Sequence, residues 1–230
     1  MKRTIDVWFE SFSNHSDGVS SLEPLLSPGE RAKAGTITEP IQKRNYILSR
    51  AILRQILSRY TDRNASELRF SYGSFGKPAL TNSSIHFNVS HSRDLFVCAV
   101  DRESEVGVDV EYIEDVGEID SISAQSFTVH ERLQLARCHP NNRLVVFFQL
   151  WTRKEAFLKA TGHGLTHLSE KLDVLLSSHD SLCDMYSGIH LGGVHRLIFP
   201  FSPIQGYAGA LVGNFNFNVA YRTLSGVETP

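Results

Sequence analysis

The chain has 230 residues, 41% of them hydrophobic and 21% charged, with a formal net charge of −2. This composition is that of a folded globular protein and excludes a disordered one. It also lacks the basic excess of a general nucleic-acid binder, so no nucleic-acid partner is expected.

The opening MKRTIDVWFE alternates apolar and polar residues and carries Asp6, the pattern of a first β-strand rather than of a signal peptide. No apolar run approaches membrane-spanning length, so a soluble, cytoplasmic protein without a membrane partner is expected. Cys98, Cys138 and Cys183 form no CxxC pair and are odd in number. They read as buried apolar residues of a reducing compartment, not as a disulfide framework or a zinc site.

Thr38-Glu39-Pro40 predicts a helix start, with a capping hydroxyl and a first-turn proline. From there to about Tyr60, Tyr46, Leu53 and Leu57 recur at helical spacing. The turn-rich SYGSFGKP follows, then the strand candidates IHFNVSH, LFVCAVD and GVDVEYI. A second long helix is predicted from about Asn142 to Ala160, stopped by Thr161-Gly162. From Leu172 onward the chain is mostly strand-like and ends in NFNFNVAYR.

Length alone allows one large domain or two small ones. A weak internal echo bears on the choice: Ser49–Arg54 (SRAILR) resembles Lys154–Lys159 (KEAFLK), 105 residues later and again late in a long helix. The echo suggests an α+β chain of two similar halves, residues 1–104 and 105–230, each a small antiparallel sheet packed with one long helix. The groove between such halves is the natural ligand site.

In GVDVE, residues two apart share a strand face, so Asp109 and Glu111 project together while Val108 and Val110 enter the core. Two adjacent carboxylates repel unless a cation or solvent separates them. One reading is therefore a solvated outer face of an edge strand. Glu155 adds a third carboxylate on the helical stripe of Phe148, Trp151 and Leu158. Its simplest partner is Lys159, one turn on, in an i,i+4 bridge of about 0.3–0.5 kcal/mol. The competing reading gathers Asp109, Glu111 and Glu155 around one metal. Few, hard oxygen ligands suit Mg²⁺, which keeps waters and shares its shell with a phosphate.

GSFGKP is not a Walker A loop, because Ser71 stands where its first glycine belongs and Pro78 replaces its hydroxyl. It offers a turn with exposed backbone and Lys77. FNVSHS places the hydroxyls of Ser90 and Ser92 around His91. Adjacent strand residues point to opposite faces, so these suit phosphate donors better than a nucleophile–base pair. Zinc binding by His86 and His91 finds no further ligand at useful spacing. His163 and His167 form an HxxxH, but Gly162 and Gly164 break the helix that would align them, so they read as loop residues.

In this order, GKP, FNVSHS, GVDVE and, 40 residues after Glu111, WTRKEAFLKATGHGL resemble the signature of the Sfp-type, surfactin-synthetase-activating, 4′-phosphopantetheinyl transferases. The ordered combination is specific and spans roughly Ser71 to Leu165; the tail adds little. The resemblance implies a pseudo-twofold fold of two α/β halves and a monomeric, Mg²⁺-dependent transferase acting on an acyl or peptidyl carrier protein with coenzyme A. It makes Asp109, Glu111 and Glu155 the metal ligands, and places Asp109, Glu155 and Lys159 at the chemistry. Lys159 would also contact the pyrophosphate of coenzyme A, Ser90 and His91 its phosphates, and Lys77 its adenine. Lys33, near Arg31 and after Ser27-Pro28, sits where the family places basic phosphate contacts. The family often has an arginine directly before the aromatic residue that Tyr46 represents. Here Asn45 stands there and the arginine is Arg44, so Lys43, Arg44 and Arg50 all stay open for the 3′-phosphate. Glu131, in an FxxxE-like segment, is a lesser active-site candidate. A Mg²⁺-dependent hydrolase of coenzyme A and a non-catalytic binder of coenzyme A or carrier protein remain the alternative readings.

Overall fold

A computed structural model describes residues 3–162, 172–174, 187–191, 194–214 and 217–226. His163, His167 and Cys183 lie outside the described residues. The chain is mixed α and β, with two four-stranded sheets and a two-stranded one among these residues.

The first sheet contains β1 (Arg3–Ser11), β4 (His86–Ser92) and β5 (Leu95–Asp101), with the order β10-β1-β5-β4. Its outer member, β10 (Phe217–Arg222), returns from the end of the chain and pairs parallel with β1, Arg3 opposite Phe217. The sheet is therefore mixed rather than antiparallel, because β10 arrives by a crossover from the other sheet and not through a hairpin. The second sheet joins β6 (Gly107–Tyr112) to β9 (Tyr207–Asn214), β8 (Val194–Phe201) and β7 (Ser187–Leu191), all antiparallel. The turn-rich segment becomes a hairpin of β2 (Phe70–Tyr72) and β3 (Pro78–Leu80), closed by Gly73 N–H to Lys77 O at 2.9 Å.

The two long helices form where the periodicity places them. The first, α3 (Pro40–Ser58), follows the short α1 (Val19–Leu22) and α2 (Pro28–Thr36). Its cap is not a hydroxyl: the Glu39 carboxylate accepts from Ile41 and Gln42 N–H, leaving Thr38 outside. The second, α6 (Arg143–Thr161), follows α4 (Ile119–Ser126) and α5 (Val129–Arg137), and ends at Gly162 with φ of +71°. That left-handed residue is where a glycine C-cap avoids a side-chain penalty.

Alternation on the strands builds four layers. Phe96, Cys98 and Val100 of β5 face α3 and meet Leu48, Ile52 and Ile56. Val97 and Ala99 face the other way, onto Val108, Val110 and Leu211 of the second sheet. The far face of that sheet, with Ala208, Ala210 and Val212, carries Ala156, Phe157 and Ala160 of α6. The order is α3, first sheet, second sheet, α6, with β4 beside β6 where the two sheets meet. No described helix is long and apolar enough to cross a membrane.

Candidate active site

The strand β6 turns its valines into the layer between the sheets, so Asp109 and Glu111 face α6, as the alternation requires. Their cross-strand neighbours on β9 are Ala210 and Ala208, which leave room above the carboxylates. Helix and strand approach closely at Gly107. A Cβ there would stand 2.0 Å from the Ala156 carbonyl oxygen and 2.4 Å from the Ala160 nitrogen. This contact lowers α6 onto β6 and brings Glu155 and Lys159 over Asp109.

Lys159 Nζ lies 2.6 Å from Asp109 Oδ1 and donates to Ser90 Oγ at 2.9 Å. The lysine therefore reaches across to β4 and β6 instead of forming the i,i+4 bridge to Glu155. Ser90 Oγ in turn donates to Asp109 Oδ1 at 2.8 Å, and Ser92 Oγ to Glu111 Oε2 at 2.8 Å. Both hydroxyl hydrogens are thus given to the carboxylates.

Among the described residues the site holds more negative charge than the Lys159 ammonium balances. Burial, with the Asp109 charge next, pushes Glu155 up to about 7. Burial and then Asp109 also raise Glu111. Burial raises Asp109 as well, against the opposing pull of Lys159 and Ser90. Asp109 Oδ2 and Glu155 Oε1 are buried and have no hydrogen-bond partner among the described residues. Two orphaned carboxylate oxygens on groups whose charges repel one another fit a small hard cation, since unpaired buried charge is otherwise costly. As the side chains stand, no group of three or more His, Cys, Asp and Glu among the described residues closes around a single point.

The remaining candidates lie on the side of α3 and β4. Lys33 is exposed and its ammonium sits 5.4 Å from the Tyr46 ring centroid. Arg44 donates to the Phe12 carbonyl at 3.0 Å, and the Phe12 ring lies 6.1 Å from His91. Arg50 is bound to Glu30 at 2.7 Å and to the Tyr72 hydroxyl at 3.1 Å, whereas Lys43 is exposed. Lys77 points to Glu105 at 2.5 Å and to the carbonyls of Val106 and Ala160, so its ammonium ties the hairpin to the end of α6. His86 bonds the other oxygen of Glu105.

Glu131 stands apart from the carboxylates. It is fully buried, accepts from Thr128 and Val174 N–H at 2.8 Å, and pairs with Lys154 at 2.8 Å. These bonds cap α5 and anchor α6. Glu30 does the same for α2, capping it through Ser27 and binding Arg54 of α3 at 2.8 Å. Neither ion pair was singled out in the sequence, although both boxes carry the Ser/Thr-x-x-Glu spacing that signals a helix start.

Comparison with known proteins gives the family. The profile of the 4'-phosphopantetheinyl transferase superfamily matches residues 105–185, from just before β6 to beyond α6. The 4'-phosphopantetheinyl transferase HetI of Nostoc sp. is 33% identical over 170 residues, covering 72% of this chain and 72% of that protein. Sfp of Bacillus subtilis is 29% identical over 143 residues, 62% of each chain. AcpT of Escherichia coli (strain K12) is 32% identical over 146 residues, 63% of this chain and 70% of that protein. The chain belongs to the 4'-phosphopantetheinyl transferase superfamily, and its activity is phosphopantetheinyl transfer.

Proposed function

We propose that the chain converts an apo acyl or peptidyl carrier protein to its holo form, using coenzyme A, with Mg²⁺ held by Asp109, Glu111 and Glu155. The carrying observation is the pair of orphaned oxygens, Asp109 Oδ2 and Glu155 Oε1, beside the Lys159–Asp109 contact of 2.6 Å. The carrier serine oxygen attacks the β-phosphorus of coenzyme A. The bond from that phosphorus to the bridging oxygen breaks, and adenosine 3′,5′-bisphosphate leaves with that oxygen. When bound, Mg²⁺ supplies charge neutralisation for the pyrophosphate oxygens.

The chain's own residues supply the rest. We assign Glu155 to take the serine proton: without metal its carboxyl is pushed up to about 7, and a bound cation would draw it down toward the carboxylate form that accepts a proton. Lys159 stabilises charge developing on the leaving phosphate, an effect that counts most in a partly dry site. Ser90 and His91 stand at the phosphate end, with Lys33 further out. For the 3′-phosphate we assign Arg44. Its present partners are neutral oxygens, the Phe12 carbonyl and the Asn45 amide oxygen, whereas Arg50 would have to abandon the buried Glu30 carboxylate. Lys77 contributes to the adenine end through the hairpin that carries it.

The two halves, residues 1–104 with the nucleotide contacts and 105–230 with the carboxylates, form a pseudo-twofold pair in this proposal. Its support is the matched capping boxes of Ser27/Glu30 and Thr128/Glu131, each bound by a basic residue of a 19-residue helix. On this view β10 is a strand of the second half lent to the first sheet. The protein acts as a monomer in the cytoplasm. Mass spectrometry of an apo carrier protein incubated with the chain, coenzyme A and Mg²⁺ tests the reading. One added phosphopantetheine is expected. Adenosine bisphosphate released with no change in the carrier would point to the hydrolase instead.

A further inference from the structure

β4 and β6 are the edge strands at which the two sheets meet, and among the described residues no backbone ladder joins them. Side chains of β4 replace that ladder. Asn88, Ser90 and Ser92 share one strand face, two residues apart, and each bonds to β6. Asn88 Oδ1 accepts from Val108 N–H at 2.9 Å, and Ser90 donates to Asp109. Ser92 donates to Glu111 Oε2 at 2.8 Å and accepts from Tyr112 N–H at 3.0 Å.

We propose that Ser92 is a positioning residue for Glu111 and makes no contact with substrate phosphate. A hydroxyl has one hydrogen, and here it goes to the carboxylate. The amide of the residue after Glu111 occupies an acceptor site on the same oxygen. Because strand backbone holds that amide, Ser92 Oγ is fixed relative to β6, and it fixes the Glu111 carboxylate in turn. Ser90 differs, since its oxygen also accepts from Lys159 and so belongs to the charged centre. Hydrogen bonds of the Ser92 kind orient a ligand, and their loss costs metal affinity by about 10–100-fold.

The inference rests on the assignment of Glu111 to the metal, and the test separates the two. Mn²⁺ is titrated into the full chain at saturating coenzyme A, without carrier protein, and free Mn²⁺ is read by electron paramagnetic resonance. Coenzyme A binding is measured separately by calorimetry without divalent metal. Ser92→Ala is expected to weaken Mn²⁺ binding about tenfold, with metal-free coenzyme A binding unchanged, and Ser92→Thr to restore most of the affinity. Should the alanine variant fold poorly, Ser92→Cys, of similar shape but a weaker donor, is expected to lose affinity in the same direction. Wild-type-like Mn²⁺ affinity in Ser92→Ala, beside a wild type that binds Mn²⁺, overturns the role of Ser92 alone. Loss of coenzyme A affinity in the metal-free titration makes Ser92 a phosphate contact and overturns it equally. A wild type that takes up no Mn²⁺ removes the three-carboxylate reading and this inference with it.

Discussion

Lys159 Nζ and Asp109 Oδ1 lie 2.6 Å apart, although the lysine is on α6 and the aspartate on β6, 50 residues earlier in the chain. The aspartate side chain is 3% exposed and the lysine 28%, so the pair sits at the mouth of the site with its cation on the solvent side. In the proposed reaction that placement would let the ammonium meet an incoming pyrophosphate while it screens the carboxylates.

Lys159→Met separates a structural role from a chemical one. If the lysine stabilises the leaving phosphate, single-turnover transfer to a carrier protein should fall by about two to three orders of magnitude. Coenzyme A binding, measured by calorimetry, should fall much less, because only part of the interaction exists in the ground state. Lys159→Arg should recover part of the rate, since it keeps charge but changes geometry. Normal turnover in Lys159→Met would return the residue to a purely structural pairing.

Gly107→Ala tests how the site is assembled. The new methyl group would meet backbone atoms of α6 at 2.0 and 2.4 Å, which no side-chain rotation relieves. The helix and strand must separate, carrying Lys159 and Glu155 away from Asp109. Stability should drop by about 1–3 kcal/mol in chemical denaturation, as overpacking does, and the surviving folded protein should transfer slowly. A variant as stable and active as wild type would show that this contact does not set the site.

Without metal, the raised Glu155 makes stability depend on pH in a defined direction. Its carboxyl moves from an ordinary value of 4.5 to about 7 in the folded chain. The folded state therefore holds the proton more tightly. This contribution is fully present below about 4.5 and is lost as pH rises through about 7. Urea midpoints measured in chelator at pH 5 and pH 8 should show a smaller loss of stability with rising pH in Glu155→Gln than in wild type. Equal losses in the two proteins would contradict the raised value.

For Glu131 the expectation is structural. Removing one partner of its buried pair with Lys154, as in Glu131→Ala, should cost about 3–5 kcal/mol of stability. Activity per folded molecule, taken from single turnover normalised to native protein, should change little. A stable but inactive variant would restore it to the chemistry.

Much of this arrangement was legible in the sequence, for local reasons. The alternation in GVDVE determined which face Asp109 and Glu111 share, and Thr161-Gly162 marked the end of α6. The start of α3 was misplaced by one residue because glutamate is a less usual cap than the threonine beside it. The parallel pairing of β10 with β1 was not legible, since strand direction depends on where the chain returns. Nor were the partners of Lys77 and Ser92. In sequence Ser92 looks like a phosphate donor and Lys77 like an exposed turn lysine, and only the meeting of β4 with β6, and of the hairpin with the segment before β6, supplies Glu111 and Glu105.

The central claim is that Asp109, Glu111 and Glu155 act together through one Mg²⁺. It is tested most directly by single-turnover transfer to a carrier protein across a Mg²⁺ titration, for wild type, Asp109→Ala and Glu155→Ala. The account predicts that each variant stays folded by circular dichroism, loses most of its transfer activity and does not regain it at saturating Mg²⁺. A near wild-type rate in either variant at saturating Mg²⁺ would contradict it.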